Sequence, residues 1–404
     1  MHSSMSRIQM PSVRSYDKML AIAMVCLIIF GSVMIYSSTC VVAPQSGDKA
    51  AVSEFYYIKR HLFTLLLGTI ALLVAYRMEP STIEKLSVPL LIFSGFLLLL
   101  VFVPYIGIKA GGARRWIKLG FMFQPSELVK LAMVIYLATY LSRPDYDPDR
   151  FSCFIKPLGI MAVFQAVFMK QPDFGATMSL FVLTIALLFI AGTRIRYIAS
   201  LLLLAVPVIY KIVQEPYRMR RITSFLDPWK DAQGSGFQLV QSFISLGSGG
   251  LTGLGLGESK QKLAYLPAKH TDFIFCLVGE ELGLIGATVV ILLFSLLFVR
   301  GISIANRVKS DQFLYFLAYG LTIMLAVQSI VNFSVVTGMV PTKGLPLPFM
   351  SYGGSALLVN MTIIGILLRI SRGDDVRPGV IGDRKLIERK LARRRIYASK
   401  GAAV

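Results

Sequence analysis

Six stretches of this chain, 19–36, 62–76, 88–103, 174–192, 273–299 and 313–336, are nearly or wholly without charged side chains. A helix needs about 20 mostly apolar residues to cross a bilayer, and a water-soluble core has no use for so many runs of that length. Composition agrees. Of the 404 residues, 55% are hydrophobic and 16% charged, against about a quarter charged in ordinary soluble domains, and mean hydropathy is +0.66. A soluble enzyme, a disordered chain and a disulfide-stapled secreted domain are excluded. The expected fold is an all-α integral membrane protein.

Hydropathy places about ten transmembrane helices, near 18–38, 60–77, 88–106, 125–142, 154–169, 174–192, 197–213, 273–299, 313–337 and 353–370. The first is too long for a signal-peptide core and lacks a small-x-small cleavage site, so it is expected to stay as an anchor. An even count puts both termini on one side. Long loops escape the positive-inside rule, and the Lys and Arg of the remaining short loops favour cytoplasmic termini. The expected organisation is a cytoplasmic segment 1–17, a membrane domain 18–370 with one large extracytoplasmic loop (214–272) before the eighth helix, and a basic cytoplasmic tail 371–404. No internal repeat is visible, which counts against transporter folds built from duplicated halves.

The net charge of +20 would suit a nucleic-acid binder until the charges are placed. Eleven Lys and Arg lie from Arg369 onward against four acids. Directly after a membrane helix such a tail faces anionic lipid, and no nucleic-acid partner is expected. Cys26, Cys40, Cys153 and Cys276 have no metal-ligand spacing, so neither a zinc site nor a disulfide framework is expected. No cofactor is expected, and dependence on a divalent cation is not readable. The glycine run 247–257 follows no strand and precedes no GK[ST], and reads as a flexible turn. The outer segments are basic, with clusters at Arg114-Arg115 and at Arg218, Arg220 and Arg221. Ordinary snorkelling side chains and a surface for an anionic substrate both fit that pattern.

Ionisable residues inside spans cost at least ~2.5–3.5 kcal/mol each, so each demands a reason. Glu127 and Lys130 in QPSELVK share a helix face at i, i+3; they either neutralise one another or present Lys130 to an anionic head group. In Lys170-Gln171-Pro172-Asp173 the proline breaks a helix and Asp173 is placed to cap the next one. Glu280 and Glu281 in GEELG lie ~12 Å inside the eighth span at 1.5 Å per residue, pointing about 100° apart, with one expected to meet a polar cavity or a buried Arg. Lys269, His270 and Asp272 converge where the long loop re-enters the membrane, beside Phe273, Ile274 and Phe275. Asp272 there is either a helix N-cap or a partly desolvated general base. No Ser or Cys nucleophile accompanies this His, so a hydrolase triad is not supported. A proline- and glycine-rich outer loop, 341–348, leads into Ser351-Tyr352-Gly353-Gly354-Ser355, where free helix amides suit a phosphate or simply start a helix.

At these residues the chain resembles the SEDS family of bacterial cell-wall proteins, from Tyr16 to Arg372. The matching stretches, in order, are GARRWIKLG (112–120), QPSELVKLA (124–132), QPDFG (171–175), FLDPW (225–229), GSGF (234–237), QSFISLGSGGLTGLGLG (241–257), LPAKHTDFIF (266–275), GEELGLIG (279–286) and LPLPFMSYGGS (345–355). QKLAYLP (261–267) and VPTKGLPLPF (340–349) resemble the cell-division branch more than the elongation branch. Ala268 departs from the family, where an acid is common.

The resemblance implies a peptidoglycan glycosyltransferase that polymerises lipid II at the outer face of the bacterial cytoplasmic membrane, during septal synthesis. Asp272 takes the place of the essential acid of the large outer loop, as general base. Lys130, Glu127, Arg114, Arg115, Asp173, His270, Arg218, Arg221, Glu280 and Ser351 are expected to bind substrate, the cations neutralising the departing polyprenyl pyrophosphate. The implied partners are a class B penicillin-binding transpeptidase and other membrane proteins of the division machinery. A lipid II flippase, a recruiting scaffold and an elongation-type polymerase are the rival readings.

Overall fold

The computed structural model describes residues 15–39, 56–110, 113–119, 121–214, 216–259, 271–342 and 344–375. The protein is a bundle of α-helices in the order α1 (Lys18–Thr39), α2 (Tyr56–Arg77), α3 (Pro80–Lys85), α4 (Ser87–Leu100), α5 (Pro125–Leu141), α6 (Phe151–Lys170), α7 (Phe174–Ile190), α8 (Ile195–Val213), α9 (Pro216–Leu226), α10 (Phe237–Ser248), α11 (Ile274–Arg307), α12 (Gln312–Val336) and α13 (Gly354–Ser371). Each expected span coincides with a helix. Among the described residues, however, six helices (α1, α2, α6, α11, α12 and α13) are long and apolar enough to cross a membrane, while α4, α7 and the first part of α8 are shorter apolar helices. The count of ten is therefore not reached on length. The 17-residue α5 is buried along most of its length, so neighbouring helices rather than lipid surround it.

One departure from the helical expectation is a three-stranded antiparallel sheet, β1 (Gly107–Ala110), β2 (Ala113–Leu119) and β3 (Phe121–Phe123), in the order β1-β2-β3. The segment alternates in period two. Ala113 and Ile117 are buried while Arg114 and Lys118 are exposed, and Ile117 pairs with Gly107 on one side and Phe123 on the other. The sheet leads directly into α5.

α5 sits at the centre, packed against α4, α7, α12 and α13, with α2 laid along α13 and α1 along α11. The largest departure from expectation is in α11. The eighth span breaks at Gly283, whose φ of 64° and ψ of −163° are not helical. A break inside a membrane leaves backbone groups that lipid cannot satisfy. Here the 249–257 glycine run satisfies them: the amides of Leu254 and Gly255 donate to the carbonyls of Glu280 (2.9 Å) and Glu281 (3.1 Å), and the amides of Leu284 and Ile285 donate to Gly250 (3.0 Å) and Leu251 (3.2 Å). The run is a docked re-entrant piece, not a flexible turn, and its Leu251, Leu254 and Leu256 face outward.

Main chain lies directly against main chain here. A Cβ on Gly253 (φ 85°) would collide with the Glu281 carbonyl, and one on Gly283 with the Gly253 amide. Gly253→Ala is expected to cost about 2–4 kcal/mol, from left-handed strain plus overpacking. Gly159→Ala, where nothing lies within 4 Å, is expected to be neutral or slightly stabilising. Thermal denaturation of both variants in detergent checks the contrast.

Candidate active site

Asp272 lies just ahead of α11 and is half-buried. It does not cap the helix: the first residue outside α11 is Phe273, and no side chain caps that end. The Asp272 carboxylate instead lies against the proline-rich loop. A Cβ built on Gly344 would stand 2.8 Å from its Oδ2. Two polar side chains hold that loop. Arg221 on α9 donates from Nη1 to the Thr342 carbonyl at 3.1 Å. Asn332 on α12 donates from Nδ2 to the carbonyls of both Leu345 (2.7 Å) and Asp272 (2.8 Å). Burial pushes the Asp272 carboxyl up to about 6, against the opposing pull of the Arg221 guanidinium. A carboxyl poised there accepts a proton near neutral pH better than an ordinary aspartate does.

A second polar set lies deeper. Lys130 donates to Glu127 Oε1 at 2.8 Å, both side chains being almost wholly buried. Among the described residues Glu127 Oε2 and the Ser126 hydroxyl have no partner, nor do both amide atoms of Gln328 and of Asn360. The helix register sets their depth. Gly320 of α12 abuts Val134 of α5, so eight residues up α12 and seven back along α5 Gln328 comes within about one residue's rise, ~1.5 Å, of the level of Glu127. The Gln124 amide donates to Ser355 Oγ at 2.8 Å, so Asn360 lies level with the Glu127–Lys130 pair. Asn332 is one turn above Gln328. Polar side chains thus descend from Asp272 through Asn332 and Gln328 to the ion pair.

The remaining expected site residues divide between two further places. Arg115 donates to the carbonyls of Gln171 (3.2 Å) and Pro172. Asp173 caps α7 by accepting from the Ala176 amide at 3.1 Å, and it also accepts from Gln124 Nε2 at 3.1 Å. The sheet is thereby pinned to the 170–173 turn. Arg114 points to solvent. Glu280 accepts from Ser245 (3.0 Å) and Ser259 (2.7 Å), and Glu281 from Ser37 (2.6 Å). Hydroxyls provide these bonds. Ser351 Oγ accepts the Leu347 amide at 2.8 Å and closes the turn before α13. His270 and Lys269 lie outside the described residues, as does the side chain of Arg218. The structure therefore brings Asp272 and Arg221 together and holds Lys130, Glu127 and Glu280 apart from them. Asn332, Gln328, Asn360 and Gly344 were not anticipated. The three amides were visible as polar residues within apolar spans, two of them at i, i+4 on α12. Among the described residues no group of three His, Cys, Asp or Glu is arranged to hold a metal ion.

Residues 17–375 match the family described as Cell cycle protein, whose model is named for FtsW, RodA and SpoVE. The chain belongs to this family. It is 46% identical to the "Probable peptidoglycan glycosyltransferase FtsW" of Geobacter sp. (strain M18), over 90% of this chain and 98% of that one. It is 41% identical to "Stage V sporulation protein E" of Bacillus subtilis, over 89% and 97%. Among solved structures it resembles a chain of "a peptidoglycan synthase complex" described as coordinating polymerization and crosslinking, with a TM-score of 0.73, 28% identity, and coverage of 89% and 98%. It also resembles the rod shape determining protein RodA of Thermus thermophilus, with a TM-score of 0.64, 25% identity, and coverage of 88% and 97%. The family match spans every element of the site.

The buried pair supports a direct test. Lys130→Met alone strands a buried carboxylate and is expected to cost about 3–5 kcal/mol. Adding Glu127→Gln is expected to recover most of it, measured as the melting temperature of the purified protein in detergent.

Proposed function

We propose that the chain is a peptidoglycan glycosyltransferase of the cell-division type, polymerising lipid II at the outer face of the cytoplasmic membrane with Asp272 as general base. Asp272 takes the proton of the acceptor GlcNAc 4-hydroxyl. That oxygen forms a bond to C1 of the donor MurNAc on the face opposite the leaving group. The bond from C1 to the pyrophosphate oxygen breaks, the configuration inverts, and polyprenyl pyrophosphate departs with the electron pair.

The observation that carries this reading is the setting of Asp272. It is a half-buried carboxylate at the mouth of a membrane helix, with its carboxyl raised to about 6 and its other side covered by Gly344. The exposed cations Arg114, Arg220 and Arg221 offer charge to the departing pyrophosphate. Lys130, which is 2% exposed, joins them only where the helices around it part. The name of the Geobacter relative carries the same activity, and the family description, Cell cycle protein, supports the division role. The described pairing of polymerization with crosslinking in a similar complex supports a transpeptidase partner of the class B penicillin-binding kind. Both termini are assigned to the cytoplasm and 214–272 to the outside.

Asp272→Asn preserves size but removes basicity. Polymerisation of purified lipid II, read as glycan chains on a gel, is expected to fall ~10²–10⁴-fold, while lipid II binding and melting temperature hold. A rate near the parent's would remove Asp272 from the chemistry and bring the flippase and scaffold readings forward. Because the base works deprotonated, the parent rate is expected to rise with pH through about 6. Orientation is checked separately. Single cysteines at Gln233 and Ser399 are expected to react oppositely with an impermeant maleimide on whole cells, and equal labelling would overturn the assignment.

A further inference from the structure

We propose that Asn332 is a positioning residue for the transfer, its carboxamide fixing the loop 342–345 across the Asp272 carboxylate. The inference rests on the reading of Asp272 as the base and adds to it a residue that touches no substrate.

Asn332 lies in the outer part of α12, is 1% exposed, and spends both hydrogens of one nitrogen on main-chain carbonyls of two different segments. Those are Asp272, ahead of α11, and Leu345, in the proline-rich loop. A carboxamide has only one group that donates, so the opposite amide orientation would set Oδ1 against two carbonyl oxygens. The orientation follows from that chemistry, and it leaves Oδ1 buried with no partner among the described residues. Phe333, next on the helix, stacks edge-on with Phe275 at 4.8 Å between ring centres.

The loop is pinned twice. Arg221 holds the Thr342 carbonyl from the solvent side, and Asn332 holds the Leu345 carbonyl from the buried side. Gly344 lies between the two pins, where the absence of a Cβ lets main chain approach Oδ2 of Asp272. Asn332 also holds the Asp272 carbonyl, so the carboxylate and its cover share one anchor. Arg221 alone does not achieve this, because an exposed guanidinium bonds weakly in competition with water. Loss of the Asn332 donors frees both segments at once and admits water to the carboxylate. Among the described groups, Arg221 on α9 is the charge that acts on Asp272. Lys269, His270 and Lys343 adjoin it in sequence.

The test uses the full-length protein with purified lipid II. Asn332→Leu keeps the side-chain volume and removes both donors. Its kcat is expected to fall ~10–100-fold, as for a small misplacement of a reacting group, with KM for lipid II nearly unchanged. The acidic limb of its pH–rate profile is expected to move down from about 6 toward the ordinary carboxylate range. Hydrogen exchange of peptides spanning 340–350 is expected to accelerate. If Asn332→Leu does not fold, Asn332→Ser, which keeps one donor, replaces it and is expected to show a smaller shift of the same sign. An unmoved acidic limb with unchanged exchange overturns the proposal, whatever happens to the overall rate. Faster exchange combined with a fully active Asp272→Asn protein overturns the base reading instead, and leaves Asn332 as architecture.

Discussion

Inside a bilayer no water is available to bond a free amide or carbonyl, and the break in α11 is where this chain meets that demand most directly. A helix interrupted at Gly283 exposes main-chain groups on both sides of the break. The 249–257 run returns from the long loop before α11 to bond them, amide by amide. That long loop is therefore anchored within the bundle rather than hung above it. Glu280 accepts hydroxyls from α10 and from Ser259, and Glu281 accepts one from α1. α1, α10 and both halves of α11 are thereby tied to one depth, and Asp272 inherits its position from the helix that follows it.

Polar groups elsewhere in the bundle are treated differently. Around the α11 break, carboxylates and hydroxyls are paired. At the junction of α5, α12 and α13, the amides of Gln328 and Asn360 and one oxygen of Glu127 are buried without partners among the described residues. Each such group costs roughly 1–3 kcal/mol. The two regions differ in what holds them: the first by hydrogen bonds that reach across helices, the second by side-chain packing around an internal ion pair. Close approach makes the second region tight, with Gly320 against Val134 and Gly365 against the Leu72 carbonyl.

Much of this was legible in the sequence, because burial of apolar runs depends on composition alone. Each expected span became a helix, and Asp272, Arg221 and the 341–348 loop were singled out before their proximity was visible. The features that escaped it were non-local. The 107–123 sheet was hidden because two adjacent arginines were read as charge rather than as one exposed and one inward strand position. The α11 break was hidden because nothing local to GEELG shows that a segment some 30 residues earlier bonds its main chain. Asp173 caps α7 as the Pro172-Asp173 pair predicted, and Ser351 closes a turn before α13, local roles that a serine or aspartate performs in many proteins. Asn332 was overlooked because only ionisable groups were priced as costly in the membrane, although a buried carboxamide carries a desolvation cost of its own.

Two aspartates at opposite ends of the bundle show how surroundings set a role. Asp17, just before α1, is buried, which raises its carboxyl. Hydrogen bonds from Arg300 and the Leu20 amide, with the charges of Arg300 and Arg307, outweigh that and hold it below the usual range. The Asp17 amide also bonds Ser371, so one charged residue joins α1, α11 and α13. Such a carboxylate stays ionised and serves as a fixed anchor, since any proton it took would cost those bonds. Asp272 is half-buried with one guanidinium alone opposing the effect of burial, and its carboxyl rises to about 6. A group so placed gains and loses a proton near neutral pH without dismantling its surroundings, because the main-chain bonds from Asn332 position the segment whichever form the carboxyl takes. If Asp272 is the base proposed above, separating the groups that position it from the group that takes the proton lets one residue cycle while the bundle around it stays in place.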